Sequence, residues 1–481
     1  MPYWGFNAVS NLCTQLATAT SLPCYVATVG PISSNRERAA ELYASIRGLR
    51  TDYGQLRSST WGFSRYAPSL TSMDFSNSNN AVNLLSPKQA GYLPNWCVGN
   101  NTDTIHFVGH SLGGPTIRML ERLIRLGDPS EVATSGASNV SALYNNATGG
   151  PLNGYRASCI KSLTTIATLH DGSPLHSVLG GSVTQLVKDL ILGIAGYATL
   201  GGQFFNTTTG NAIYDFDVDR IPGMAVQPTE SVTTWSNRLL GSTMFATTYN
   251  ATAAYDLSPE FMRSFNLGGP TTFPGTYYFS ASTGNTGNCG YIGGSCPIFW
   301  PYVGCSIGVN CCVHQCPNVF QANSFFQLPP AIFGDLGTMY SMGCLTGGGT
   351  TPWPYNFYTC NAPIHGAYDA SLTFTSDQEE NDGLVSRKGA RGPHMGMSST
   401  GAPASPQQIA TTHNSGRSFG VQPVFTSVTA NQWWYNDYQY DHMQAVGLFA
   451  SLPPYTWANS LGLTPDKDIF VDIAAFINHI K

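Results

Sequence analysis

Apolar residues along this chain fall into short blocks of two kinds that alternate. Residues 25–29 and 105–108 are brief apolar runs, the pattern of strands buried on both faces. Segments with helical spacing follow them, NRERAAELYASIRG from Asn35 and PTIRMLERLIRLG from Pro115. A further apolar run occupies residues 163–169. Near the C-terminus DIFVDIAAFINHI sets positions 469, 473, 476, 477 and 480 on one helical face. Strands alternating with helices predict an α/β chain with a mostly parallel central sheet covered on both faces. Residues 177–202 carry Val183, Leu186, Val187, Leu190, Ile191 and Ile194 at helical spacing, with Gly193 and Gly196 inside the run. Periodicity alone makes this a core helix; the functional reading is a mobile lid whose apolar face covers a site in water and meets lipid when open.

The sharpest chemical signal lies where the second strand meets its helix. Gly109-His110-Ser111-Leu112-Gly113 places a serine on a tight strand-to-helix turn, the pattern of a nucleophile elbow. Such a turn strains the backbone of Ser111, and side chains at 109 or 113 are expected to collide with the strand and helix packed behind it. His110 is expected to pack or hydrogen-bond locally. With 51 glycines the chain can produce GxSxG by chance, so the flanking strand and helix carry the weight.

Composition narrows the class. At 481 residues the chain can bury a large core, and with 10% charged residues and a net charge of −5 nothing favours nucleic acid or an anionic membrane. Twelve cysteines without a clear metal-site spacing point to an oxidising compartment and a secreted protein. Sequons at Asn100, Asn139, Asn146, Asn206 and Asn250 are compatible with export. No apolar run approaches the ~18 residues of a spanning helix. Eight cysteines (289, 296, 305, 311, 312, 316, 344 and 360) crowd residues 284–362, an insertion expected to be stapled by disulfides. Its aromatic residues offer an acyl-chain or interface-binding surface. Of the remaining four, Cys13 is expected to pair with Cys24 and Cys97 with Cys159, each pair flanking elements expected to be neighbours.

The segments VGPISSNRERAAELYASIRG, TDYG, GHSLGG, TTIATLHDGSPL, YDFDVD, AAYDLS, TYYFSAS, ENDGLVS and YDHMQAVG together resemble the thermoalkaliphilic bacillus-type and staphylococcal lipases, secreted α/β-hydrolases. The present chain reads as a eukaryote-like secreted relative with a Cys-rich insertion. The resemblance implies one α/β-hydrolase domain over 1–481, with a lid or cap region at 177–255 and the insertion at 284–362. It also implies a triacylglycerol lipase working at a lipid–water interface. The alternatives are a short-chain carboxylesterase, a non-catalytic lipid-binding relative and a truncated inactive fragment.

Both partners of Ser111 must lie downstream in this fold. Asp382, in a polar turn after the apolar run SLTFT, matches the family acid, with Asp377, Glu379 and Glu380 as solvated competitors. His442 follows the aromatic run NQWWYNDYQY and stands where the fold keeps its base. His170-Asp171 is given a structural reading. Leu112 is expected to supply one oxyanion donor through its backbone N–H. The second comes, in the resembled family, from a first strand ending in His-Gly that has no counterpart here. Met1 is therefore read as an internal or misassigned start, with a signal peptide, that strand and its loop expected upstream.

The resembled lipases also carry zinc and calcium. At positions matching the zinc ligands this chain has Glu37, Arg57, Phe63 and Asp256. No zinc is expected, and a Glu37-Arg57-Asp256 ion network is expected in its place. At the calcium position Gln444 and Phe449 replace acidic ligands, so no cofactor is expected.

Overall fold

The computed structural model describes residues 12–27, 29–67, 84–85, 93–98, 101–145, 159–173, 220–224, 232–242, 251–283, 387–394, 410–411, 423–438, 444–446 and 466–481, with Val218, Gln227, Glu230, Val385 and His442. Asp382, the lid segment from Val183 to Ile194, Phe449 and the insertion at 284–362 lie outside the described residues.

The strands are β1 (Val26–Ala27), β2 (Leu84–Leu85), β3 (Ile105–His110), β4 (Ile160–Ile166), β5 (Tyr277–Thr283), β6 (Ala410–Thr411) and β7 (Trp433–Tyr438). Between them run helices α1 (Leu12–Thr20), α2 (Asn35–Arg47), α3 (Gln55–Trp61), α4 (Gly113–Leu126), α5 (Pro129–Ser135), α6 (Val232–Leu240), α7 (Ala253–Asp256), α8 (Pro259–Leu267), α9 (Arg387–Ala390) and α10 (Asp466–Ile480). A five-stranded sheet has the order β3-β4-β5-β7-β6, every neighbour parallel. The expected parallel α/β architecture is present. β1 pairs with β2 in a separate parallel pair, so among the described strands β3 has a neighbour on one side only.

Two positions differ from the sequence reading. β4 begins at Ile160 and stops at Ile166, because Ala167 takes a left-handed backbone with φ 49°. The aromatic run after Asn431, not assigned to a strand from its pattern, supplies β7. Trp433 and Trp434 are buried on opposite faces of the sheet, in the two separate core clusters, as the two-residue repeat of a strand requires. Tyr278 and Phe279 of β5 divide in the same way.

One core cluster joins α2 and α4 to one face through Ala39, Leu42, Tyr43, Ile117, Leu120, Leu123 and Ile124. The other joins α10 to the opposite face, and Ile469, Ile473, Phe476, Ile477 and Ile480 are all buried there, the five positions its periodicity marks. Each such side chain contributes roughly 1.5–3 kcal/mol relative to exposure. Both expected disulfides form, Cys13–Cys24 and Cys97–Cys159, with Cα separations of 5.4 and 5.3 Å. No helix among the described residues is long and apolar enough to cross a membrane.

Candidate active site

Ser111 stands between the end of β3 and the start of α4 with φ 53°, a left-handed conformation that a residue with a side chain occupies at a cost. The turn is held from both sides. The Ser111 N–H donates to the carbonyl of Ile166 at the end of β4 (2.9 Å), and the Gly114 N–H donates to the Ser111 carbonyl (3.1 Å). Ser111 itself is half-buried.

The glycine requirement is partly as expected and partly not. A methyl group on Gly109 would lie 2.6 Å from the carbonyl carbon of Gly113 and 2.8 Å from the amide nitrogen of Gly114, so residue 109 must lack one. At Gly113 it would meet nothing within 4 Å. The expectation of a collision at 113 fails, because that position opens outward at the first turn of α4. The crowded partner is Gly114, where a methyl group would lie 2.2 Å from the Thr168 side chain, itself fully buried behind the elbow.

His442 lies between β7 and the short 3₁₀ turn Gln444–Val446 and is 3% exposed. Its ring centroid is 4.6 Å from that of His110, so the chain's best candidate base stands against the residue preceding the serine. The hydrogen bond shown for His110 is long-range in sequence. The His110 Nε2–H donates to the backbone carbonyl of His442 at 2.8 Å, across 332 residues of sequence. Burial, then the neighbouring His442, push the His110 imidazole well below its ordinary pKa and keep it neutral. Leu112 is the residue before the first helical position of α4 and so stands at the electropositive end of that helix.

The other histidine pair takes the structural reading. His170 is fully buried, its Nε2 3.0 Å from Thr165 Oγ1, its Nδ1 3.4 Å from the Arg118 guanidinium, and its ring against Trp433. Burial and the charge of Arg118 push its pKa well down. Asp171 meets His394 Nδ1 at 2.6 Å.

The Glu37 cluster was expected to be an ion network, and half of it forms. Arg57 Nε donates to Glu37 Oε1 at 2.6 Å, and Ser34 Oγ donates to the other carboxylate oxygen. Burial pushes the Glu37 carboxyl up, but Arg57, Arg220 and Arg36 together hold it below its ordinary value. Asp256 makes no ion pair with Arg57; it accepts the Asn35 N–H at the first position of α2. Burial and the nearby Glu37 charge lift it to about 8, against the opposing pull of that N–H and of Arg57. These residues do not fit a zinc ion, because a permanent cation already occupies the Glu37 carboxylate and Phe63 offers no donor. Sequence reasoning missed a neighbouring device: Glu131 of α5 accepts the N–H groups of Leu56 and Arg57 (2.9 and 2.8 Å), capping α3 from another helix.

Comparison with known proteins adds the family. Residues 1–295 match the model described as "Lipase-like, C-terminal domain". The chain belongs to this family. The match includes the Ser111 elbow and ends upstream of Asp382 and His442. Within the lipase-like relatives, the chain is 29% identical over 284 residues to the lipase of Staphylococcus hyicus and 28% identical over 296 residues to lipase 2 of Staphylococcus aureus. Those alignments cover 59% and 60% of this chain but 37% and 36% of the two relatives, little more than a third of their length. Among solved structures, lipase 1 from Pelosinus fermentans is similar at a TM-score of 0.58 and 25% identity, covering 95% of this chain and 91% of that one. EstA from Clostridium botulinum is similar at 0.60 and 24%, covering 99% and 82%. The parallel sheet with its elbow is thus an α/β-hydrolase fold.

Proposed function

We propose that the chain is a secreted serine hydrolase that cleaves the carboxylic esters of lipids, a triacylglycerol lipase. The observation that carries this reading is the strained Ser111 at the strand-to-helix turn, with His442 packed against its chain neighbour His110. The staphylococcal and Pelosinus relatives, named as lipases, favour a lipid ester as substrate.

In the proposed reaction Ser111 Oγ attacks the ester carbonyl while His442 takes its proton, forming a tetrahedral oxyanion that the Leu112 N–H stabilises. His442 returns the proton to the leaving alkoxide, and the alcohol departs as the acyl–serine ester forms. Water then attacks that ester with His442 again as base, releasing the fatty acid and restoring the serine. Asp382 would hold the imidazole in the required tautomer and stabilise its cation. Val183, Leu186, Val187, Leu190, Ile191 and Ile194 would form the apolar face of a lid opening at the lipid–water interface. The disulfides Cys13–Cys24 and Cys97–Cys159 support an extracellular setting. We include no zinc, calcium or nucleic acid in the proposal.

A fluorophosphonate probe tests it. The parent chain should be labelled on one residue, Ser111→Ala should lose both labelling and hydrolysis of an emulsified long-chain triacylglycerol, and an unlabelled parent would end the hydrolase reading. Activity confined to soluble short-chain esters would end the lipase assignment alone.

A further inference from the structure

We infer that His110 is a positioning residue: its Nε2–H fixes the backbone carbonyl of His442 and thereby sets where the base stands relative to Ser111. This role rests on the hydrolase reading above. Three observations carry it. The donor and acceptor are 2.8 Å apart, and the two rings pack at 4.6 Å with 46° between their planes. Both residues are buried, 4% and 3% exposed, so the bond is shielded from competing water. His110 is the last residue of β3 and His442 lies in the segment after β7, so the contact ties the nucleophile's strand to a loop three strands away in the sheet, across β4 and β5.

The chemistry requires one tautomer. A carbonyl accepts only, so His110 must carry its proton on Nε2, and a neutral ring then leaves Nδ1 as an acceptor. Burial keeps the ring neutral, which makes it a fixed donor and not a competitor for the proton that leaves Ser111. A loop carrying a base has several rotatable bonds between its ends. Anchoring the carbonyl of the base residue itself removes the freedom that matters most, because a displacement of the reacting group by about 1 Å costs on the order of 10²-fold in rate.

The test separates positioning from simple packing. His110→Phe keeps a planar ring and removes the donor, whereas His110→Gln places an amide N–H near the position of Nε2. In steady-state ester hydrolysis His110→Phe should lower kcat about 10- to 100-fold with KM unchanged, and His110→Gln should recover most of it. The rate of fluorophosphonate labelling at Ser111 should fall and recover in parallel. Equal labelling of parent and His110→Phe, or equal losses in both variants, would overturn the role while leaving the hydrolase reading intact. An unlabelled parent overturns the hydrolase reading and this role with it. Should His110→Phe fail to fold, ¹⁵N spectra of the histidine-labelled parent decide the matter. They should show a protonated Nε2 on His110, and a protonated Nδ1 with bare Nε2 would overturn the bond.

Discussion

Two of the elbow glycines look equivalent in sequence and are not equivalent in space. The backbone of Gly113 and Gly114 closes over residue 109, so a methyl group there has no room to shift, while residue 113 faces open space. Gly109→Ala should therefore destabilise the chain by about 1–3 kcal/mol, the ordinary cost of overpacking a core. Gly113→Ala should be neutral or stabilise by about 0.5–1 kcal/mol, since alanine loses less backbone entropy in a helix. Chemical denaturation of the two variants checks this, and equal losses would contradict it. The serine itself was legible because its signal is local: an apolar run, a tight turn and a helical period within about twenty residues. The steric reason for Gly114 was not legible, because Thr168 meets it only once β3 and β4 are paired. The His110–His442 bond was hidden for the same reason, joining residues that share no periodicity and no short spacing.

At the scale of elements, α2, α3 and α5 are held together by charges that cross between them. Arg57 of α3 bonds Glu37 of α2, Arg36 of α2 pairs with Asp128 before α5 and Glu131 within it, and Glu131 caps α3. The Glu37–Arg57 half of this arrangement could be anticipated because the resemblance keeps an acid at Glu37 and sets an arginine, Arg57, at a position where the resembled lipases hold zinc with a histidine. The capping by Glu131 could not, since it depends on how two short helices abut. An arginine held on a fully buried carboxylate supplies the positive charge that this site needs. Arg57→Ala would leave Glu37 buried without its nearest cation and should cost about 2–3 kcal/mol, toward the low end for breaking a buried pair because Arg57 is itself 20% exposed. The parent should keep its melting temperature and its activity in excess chelator. A drop of several degrees on chelation would show that a bound metal, not Arg57, holds these helices.

Across the whole molecule, the sheet separates two apolar clusters, and the first and last described helices meet where α1 packs on α10 through Asn478 to the Ala19 carbonyl (2.9 Å) and Lys481 to that of Thr20 (3.0 Å). Helices α2, α4 and α10 were legible from their period; the joints between layers were not, because they are made by polar residues inside the core. Glu121 is the clearest of these. From α4 it accepts Thr276 Oγ1 at 2.7 Å and the Tyr278 hydroxyl at 2.9 Å, both on the segment forming β5, with Arg125 at 3.9 Å. Burial lifts its carboxyl to about 7, against those hydrogen bonds and the arginine charges. In the unfolded chain the same group titrates near 4.5, so between those values the folded protein holds a proton that the unfolded one has released. The favourable contribution is complete below about 4.5 and is lost as pH rises through about 7. Glu121→Gln keeps an acceptor oxygen and removes the titration. Melting temperature should therefore fall more steeply from pH 5 to pH 8 in the parent than in Glu121→Gln. Asp256 drifts in the same direction in both proteins, so the difference between the two slopes isolates Glu121. Parallel slopes would mean that Glu121 stays ionised in the folded chain and that its charge is fully met by Arg125 and the two hydroxyl donors.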